Sequence, residues 1–553
     1  MFLQSLCCVI FSVNSIASGL SQPHIIYIVA DDLGWNDVGY HGSDQIPTPN
    51  IDALAYNGLI LNSHYVQASS TPSRTALFTG KYPIKLGMQG PSFIPSEPRA
   101  LPAIKILPEY LKEIGYETHL VGKWDMGYGR WNETPTSRGF DSHLGYYTNF
   151  VSYYDYLNTL TVDGTPYTGF DLRRDTSPAW DLQGKYATNV FTDHALELIK
   201  KHDDSKPLFL MLAHVAPHAA NDGKLLEAPQ ETIDKFRHII DANRRTYAAM
   251  VSKLDDSVGA LIAALQAKEM LENAIVVFIS DNGAPTLGAY RNWGSNYPLR
   301  GTKHTLFEGG VRGVALVWSS LIHQRPRVSN ELMHITDWLP TLYSAAGGDI
   351  TELDPEIDGI DQWPTFAYDL PSARNDVLLN IDEYTRNAAL RFYNWKLIVG
   401  TTYNGTLNKY FGESGKINVR DIEYDYGAVR NSLAGISIEK TTYATPMEAY
   451  EQFRDQATLH CLHDNAKKNP CDPSDAGTVC LYDIPNDPCE ENDLSNYFPS
   501  VVRRMKRALV DYRSGLVEQQ NKQPDIQGAD PKFFNYTWSP WLDGCVSDSP
   551  CQA

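Results

Sequence analysis

The sequence predicts an α/β fold: a large mixed or parallel sheet flanked by helices, with a smaller C-terminal domain of antiparallel sheet plus helix. Three observations predict it. Short, continuous apolar runs recur through the first two-thirds of the 553 residues, as in strands covered on both faces. Amphipathic helical stretches alternate with them. After about Gly359 the rhythm changes to turn-rich segments, and every cysteine beyond residue 8 lies in that last part.

The strand candidates are His24–Ala30, Glu117–Val121, Pro207–Ala213, Ala274–Ser280 and Val314–Trp318. The helical candidates are Leu107–Ile114, Tyr186–Lys201 and Tyr247–Met270; the last carries Met250, Leu254, Val258, Ile262 and Leu265 on one stripe. Farther on, Ala389–Gly400 reads as a strand-like stretch and Ser500–Glu518 contains a helix. The expected organisation is a leader over 1–18, a large domain over 19–365 and a smaller domain over 366–553.

Met1 to Ser18 is apolar and ends in small residues, the pattern of a secretory signal peptide, although it lacks the usual basic start. No later run is long and apolar enough to span a bilayer. Of eight cysteines, Cys7 and Cys8 fall in the leader. Cys461, Cys471, Cys480, Cys489, Cys545 and Cys551 form an even set that reads as disulfides. His460 and His463 flank Cys461, but without a C-x-x-C pair zinc is the weaker reading. Sequons at Asn132, Asn404 and Asn535 fit a glycoprotein of the secretory pathway, secreted or lysosomal. A net charge of -19 argues against nucleic acid as a partner. It also means that any anion site is a local cationic pocket.

Asp31 and Asp32 directly follow the first strand run. Ligands of open α/β sheets bind at the carboxyl ends of strands, and adjacent carboxylates there need a positive partner. Alone, the pair reads equally well as a helix cap and solvated turn. Asp281-Asn282-Gly283 follows the strand run AIVVFIS in the same way. Two such oxygen pairs favour calcium or magnesium over zinc.

Ser70 to Gly80 reads S-T-P-S-R-T-A-L-F-T-G. It resembles the type I sulfatase signature C-x-P-S-R-x-x-x-x-T-G, whose cysteine is oxidised to formylglycine. The resemblance extends to D-D-L-G-W-N-D-V-G-Y at Asp31–Tyr40, V-G-K-W at Val121–Trp124, P-L-R-G-T-K-H-T-L-F-E-G-G-V-R at Pro298–Arg312 and L-Y-D-I-P-N-D-P at Leu481–Pro488. The chain is identified as a member of that family, of the alkaline-phosphatase-like fold, and is similar to arylsulfatase B-like N-acetylgalactosamine 4-sulfatases. The resemblance implies one calcium ion held by Asp31, Asp32, Asp281 and Asn282, with residue 70 beside it. It implies Arg74 as a brace for the nucleophile. Lys123, His218 and Lys303 would surround the sulfate of a sulfated glycan or small sulfate ester, and His218 or Lys303 would protonate the departing alcohol. His214 is a nearby competitor of His218.

Two positions depart from the family. Ser70 replaces the cysteine, so formylglycine forms there only if the serine itself is modified. Asp125 replaces the histidine after G-K-W. In the family one hydroxyl of the hydrated aldehyde attacks sulfur, and the other is deprotonated to eliminate sulfate. A serine has no second hydroxyl, so both changes fall on the same half-reaction. Asp125 pairs with a lysine, is protonated, points away or serves as a substitute base. Three readings follow: a sulfuric ester hydrolase, a pseudosulfatase that binds sulfated glycans or a partner without turnover, and, last, a phosphate-ester hydrolase that uses Ser70 directly. The stretch Tyr146–Leu157, rich in tyrosines, reads either as a stacking platform for a sugar or aryl ring or as ordinary packing.

Overall fold

The computed structural model describes residues 22–414, 422–461, 468–474 and 477–543. The leader, His463, Cys545 and Cys551 lie outside these residues. Successive side chains of His24–Ala30 point to opposite faces of the sheet and meet two different cores. Ile26, Ile28 and Ala30 enter one core, with Met250, Leu254 and Ile262 of the helix Ala242–Ala267. Ile25, Tyr27 and Val29 enter the other, with Leu77, Leu111 and Trp338. Both faces are covered, which is why the run is apolar throughout.

His24–Ala30 pairs in parallel with Leu208–Ala213 on one side and Ala274–Ser280 on the other. Glu117–Lys123 pairs in parallel with Leu208–Ala213. The expected strand Val314–Trp318 forms as Ala315–Ser319 but runs antiparallel to Ala274–Ser280, so the ten-stranded sheet is mixed. A strand buried on both faces carries the same apolar run whichever way it points. The three expected helices form as Leu107–Glu113, Ala187–Lys201 and Ala242–Ala267.

Register places the strand ends together. Ala30 lies opposite Ser280, Val29 opposite Ala213, and Ala213 opposite Gly122. Asp31-Asp32, Asp281-Asn282 and Lys123 therefore emerge at one end of the sheet. Gly122 has φ +104, and a Cβ there would lie 1.9 Å from the Ala213 carbonyl oxygen. Only glycine fits that approach.

The second sheet has four antiparallel strands in sequence order, Asp376–Asp382, Asn387–Phe392, Trp395–Val399 and Val479–Asp483. The stretch Ala389–Gly400 is thus a hairpin and not one strand. It turns at Tyr393, whose φ is 48, and alternation of apolar residues does not reveal so tight a reversal. The helix Pro499–Arg513 packs on this sheet through Met505 and Leu509. Cys461 is bonded to Cys489 and Cys471 to Cys480, which removes Cys461 from any zinc site.

A buried ionic network ties the small sheet to the helix Glu308–Val311. Lys396 Nζ lies 2.8 Å from both Glu308 Oε1 and Glu490 Oε1. Glu308 also accepts from Tyr65 Oη at 2.9 Å. Burial pushes the Glu490 carboxyl up to about 7, against the pull of Lys396. The segment around Trp538 packs on a separate two-stranded hairpin, Leu157–Val162 with Thr165–Phe170. Trp538 is fully buried in the second core. Its backbone N–H donates to Phe170 and its indole N–H to the Asn158 carbonyl, at 3.1 and 2.9 Å.

Candidate active site

Ser70 is the first residue of the helix Ser70–Thr79, so the helix amino terminus faces the ends of the strands. Its Oγ lies 3.2 Å from Asp31 Oδ1 and 3.2 Å from Asn282 Oδ1. The hydroxyl thus reaches both strand-end pairs. Asn282 Nδ2 donates to Asp32 Oδ1 at 2.6 Å, and the Asp32 backbone N–H donates to Asp281 Oδ1 at 3.2 Å. Asp32 takes a left-handed conformation, φ 67. The four strand-end residues and Ser70 are therefore one buried cluster of oxygen ligands.

Each carboxylate of the cluster has its own cation. Lys123 Nζ lies 2.8 Å from Asp31, Arg74 Nη2 3.0 Å from Asp281, and Lys303 Nζ 2.6 Å from Asp32. Burial pushes the Asp31 and Asp32 carboxyls up, but Lys123 and Lys303 with His218 outweigh it and hold both below the usual range. His218 Nε2 stands 3.4 Å from Asp32, and its Nδ1 donates to the Ala219 carbonyl. Burial lowers the His218 pKa, offset only in part by Asp32 and Asp31. His214 lies elsewhere, in the core, with Nε2 3.0 Å from Ser257 Oγ.

Asp125 is fully buried beside this cluster. Its Oδ2 accepts from Thr71 Oγ1 at 2.9 Å and lies 3.9 Å from Lys123 Nζ. Its Oδ1 has no partner. Burial pushes its carboxyl up to about 6, with Lys123 and Arg74 pulling the other way.

The structure brings together all the residues expected from the sequence: Asp31, Asp32, Ser70, Arg74, Lys123, Asp125, His218, Asp281, Asn282 and Lys303. Donor atoms of Asp31, Asp32 and His218 all lie within 4.8 Å of one another, a grouping able to hold a metal ion. A cavity of about 380 Å³ opens on the cluster, lined by Asp32, Ser70, Lys123, His218 and Lys303. Its outer lining is largely apolar, with Phe93, Leu287, Tyr290 and Tyr403.

The tyrosines of Tyr146–Leu157 are not that lining. Tyr146, Tyr147, Tyr153 and Tyr156 are buried packing. Phe150 of the same stretch does meet the site, stacking on the His218 ring at 5.6 Å and 18°. Sequence reasoning missed Phe150, Tyr290 and Tyr403, which carry no motif. It also missed Thr71, although Thr71 sits inside the signature.

The family model described as Sulfatase matches residues 23–348. Arylsulfatase J of Mus musculus is 36% identical over 529 residues, 95% of this chain and 81% of that protein. N-acetylgalactosamine-6-sulfatase of Homo sapiens is 33% identical over 372 residues, 63% of this chain and 67% of that protein. Among solved structures, Ps i-CgsB in complex with k-i-k-neocarrahexaose is similar with a TM-score of 0.69 and 25% identity, covering 93% of this chain and 97% of that one.

Proposed function

The chain belongs to the sulfatase family, and from that membership we propose that it takes a sulfate ester of a sugar or aryl alcohol as a sulfuric ester hydrolase. The observation that carries this reading is the setting of Ser70. Its hydroxyl meets the oxygen cluster at 3.2 Å, while Lys123, His218 and Lys303 line the same cavity.

The donor set fits one calcium ion. Asp31, Asp32, Asp281 and Asn282 offer hard oxygens, which suit calcium or magnesium over softer metals. Asp32 Oδ2 is buried without a hydrogen-bond partner among the described residues, with His218 Nε2 3.4 Å away, and is an acceptor open to a cation. When bound, calcium supplies Lewis acidity toward a sulfate oxygen. Arg74 steadies Asp281 beneath residue 70. Lys123, Lys303 and His218 meet the remaining charge of the sulfate. His218 or Lys303 gives a proton to the departing alcohol.

The resemblance to arylsulfatase B suggests N-acetylgalactosamine 4-sulfate. N-acetylgalactosamine-6-sulfatase, named for another position, is also a relative, so both esters belong in a substrate panel. The three sequon asparagines, Asn132, Asn404 and Asn535, are exposed, which supports a glycoprotein of the secretory pathway. Among the described residues no helix is long and apolar enough to cross a membrane.

One observation favours a second reading, a sulfate-ester binder without turnover. Asp125, at the family's histidine position, hydrogen-bonds Thr71, and Ser70 has a single hydroxyl. The deciding measurement is the intact mass of the peptide that contains Ser70, from protein purified from its own source. A deficit of two hydrogens relative to serine marks formylglycine and supports turnover. Unmodified serine sinks the hydrolase reading as ordinary sulfatase catalysis and leaves the binding protein.

A further inference from the structure

Three arginines, Arg312, Arg374 and Arg391, line a cavity of about 470 Å³ that has no part in the candidate active site. It shares no described lining residue with the cavity over Ser70. Tyr393 and Asn394, at the hairpin turn of the small sheet, line this one. The strand Trp395–Val399 then runs about 13 Å before the chain reaches Tyr403 at the first cavity. The two cavities therefore stand at opposite ends of that strand.

Arg374 is spent on the protein. Its Nε and Nη2 both donate to the Asp337 carboxylate, and its Nη1 to Tyr82 Oη and the Asp376 carbonyl at 3.1 and 3.0 Å. Arg312 and Arg391 are not. Arg312 Nε donates to the Asn62 carbonyl at 2.6 Å and its Nη1 to Glu308 Oε2 at 3.3 Å. Arg391 Nε donates to the Tyr393 carbonyl at 3.0 Å and its Nη1 to Tyr65 Oη. The Nη2 group of each has no hydrogen-bond partner among the described residues and, unlike Arg244 Nη2, is not sealed in the interior. The residues are nonetheless only 6% and 5% exposed. Each guanidinium is held over a ring, Arg312 on Trp35 and Arg391 on Tyr65. The cavity thus receives two fixed, open donor groups.

Charge points the same way. Glu308 lies 3.3 Å from Arg312 and 2.8 Å from Lys396, and reaches Arg391 only through the Tyr65 hydroxyl. Glu490 serves Lys396. Three cations thus share two carboxylates, and a buried charge is costly unless it is paired or solvated. Glu331 is the one carboxylate of the described lining. It is exposed, and it accepts from the Ser372 backbone N–H at 2.8 Å. We propose that this cavity is a second anion site, for a tetrahedral oxyanion: sulfate or phosphate, free or as the ester group of a larger molecule. The two Nη2 groups donate to its oxygens. The exposed amides of Asn375 and Asn394 stand at the rim to donate further. The volume is many times one water's share of about 30 Å³, so there is room for the group that carries the anion. None of this depends on what the first cavity binds.

Selenate, a tetrahedral dianion like sulfate that anomalous scattering locates, tests the site in crystals of the full chain. A peak between Arg312 and Arg391 is expected, and Arg391→Gln should lose it. Calorimetry with inorganic sulfate and with phosphate, at constant ionic strength, reads the site in solution. Asn394→Asp changes an exposed side chain and brings a negative charge to the rim. It is expected to weaken one anion-binding event by about tenfold and to leave the first cavity unchanged. If Arg391→Gln does not fold, Asn394→Asp decides alone. Absence of the peak overturns the proposal. So does a peak in crystals with no effect of Asn394→Asp in solution, which means binding at crystal concentration only. A sulfated oligosaccharide and its desulfated counterpart identify the source. Binding at least about tenfold tighter than sulfate, lost on desulfation and in Asn394→Asp, assigns the anion to a glycan, and equal affinity assigns the free ion. A peak at the first cavity alone overturns this site only; a peak here alone overturns the reading of the first cavity only.

Discussion

The carboxylate of Asp125 accepts a 2.9 Å hydrogen bond from the hydroxyl of Thr71, the residue that follows Ser70 on its helix. Thr71 Oγ1 in turn accepts from the Phe93 backbone N–H at 2.9 Å, and Phe93 lines the cavity. Asp125 therefore ties the start of the helix to the cavity wall. Its chemistry is directed at Thr71, where the family places a histidine to serve the second hydroxyl of the hydrate.

That arrangement predicts coupling between the two departures. Ser70→Cys, co-expressed with a formylglycine-generating enzyme, restores the aldehyde but not the base. Adding Asp125→His is expected to raise aryl-sulfate turnover by about 100-fold over Ser70→Cys alone, the low end of general-base contributions. The check is steady-state kinetics of both variants. Equal rates would show that Asp125 is no obstacle.

Asp125 also predicts a pH dependence of stability. Its folded pKa is raised to about 6 by burial, so the folded state holds the proton more tightly than the unfolded chain. The stabilisation is complete below about pH 4 and is lost as pH rises through about 6. Asp125→Asn keeps an acceptor for Thr71 and cannot ionise. Denaturant unfolding is expected to give equal stabilities near pH 4 and a variant more stable by roughly 3 kcal/mol near pH 7. A gap that does not change with pH would remove the assignment.

Calcium is expected to raise the unfolding temperature through the oxygen cluster. An ion present at a hundredfold excess over its dissociation constant adds about 2.7 kcal/mol to the folded state. The shift measured by calorimetry should vanish on chelation. It should also vanish in Asn282→Ala, while the starting stability of that variant falls less than the lost shift. Persistence of the shift in Asn282→Ala would place the ion elsewhere.

The buried network around Lys396 predicts a large, specific loss. Lys396→Met leaves the buried Glu490 without its lysine and Glu308 with Arg312 alone as a close cation. Breaking a buried ion pair from one side costs about 3–5 kcal/mol. Denaturant unfolding of Lys396→Met should show that loss, and Lys396→Met with Glu490→Gln should recover part of it.

Most of the large sheet and the cluster were legible in the sequence because each rests on a local pattern. His24–Ala30 and Ala274–Ser280 are continuous apolar runs, and the chemistry lies just past their ends. Strand direction was not legible at Ala315–Ser319, since burial on both faces erases the difference. The hairpin at Tyr393 was hidden because one residue with a positive φ reverses the chain without a glycine. The cavity walls were hidden for a different reason. Phe150, Tyr290 and Tyr403 come from distant segments, and only the fold assembles them. The tyrosines of Tyr146–Leu157 left two readings open because composition cannot tell a ring packed inward from one facing a ligand, and the structure shows packing.

The packing of Trp538 on a hairpin far upstream sets an order of events during synthesis. The strand pair Leu157–Val162 and Thr165–Phe170 is complete early, yet the tryptophan that caps it, Trp538, is made 380 residues after Asn158. A nascent chain therefore carries that hairpin unbuttressed until Trp538 emerges. A premature stop near residue 530 spares Asp31, Ser70, Lys123, Asp281 and Lys303 but removes Trp538 from the second core. Its consequence is degradation of a chain in which every candidate site residue is still present.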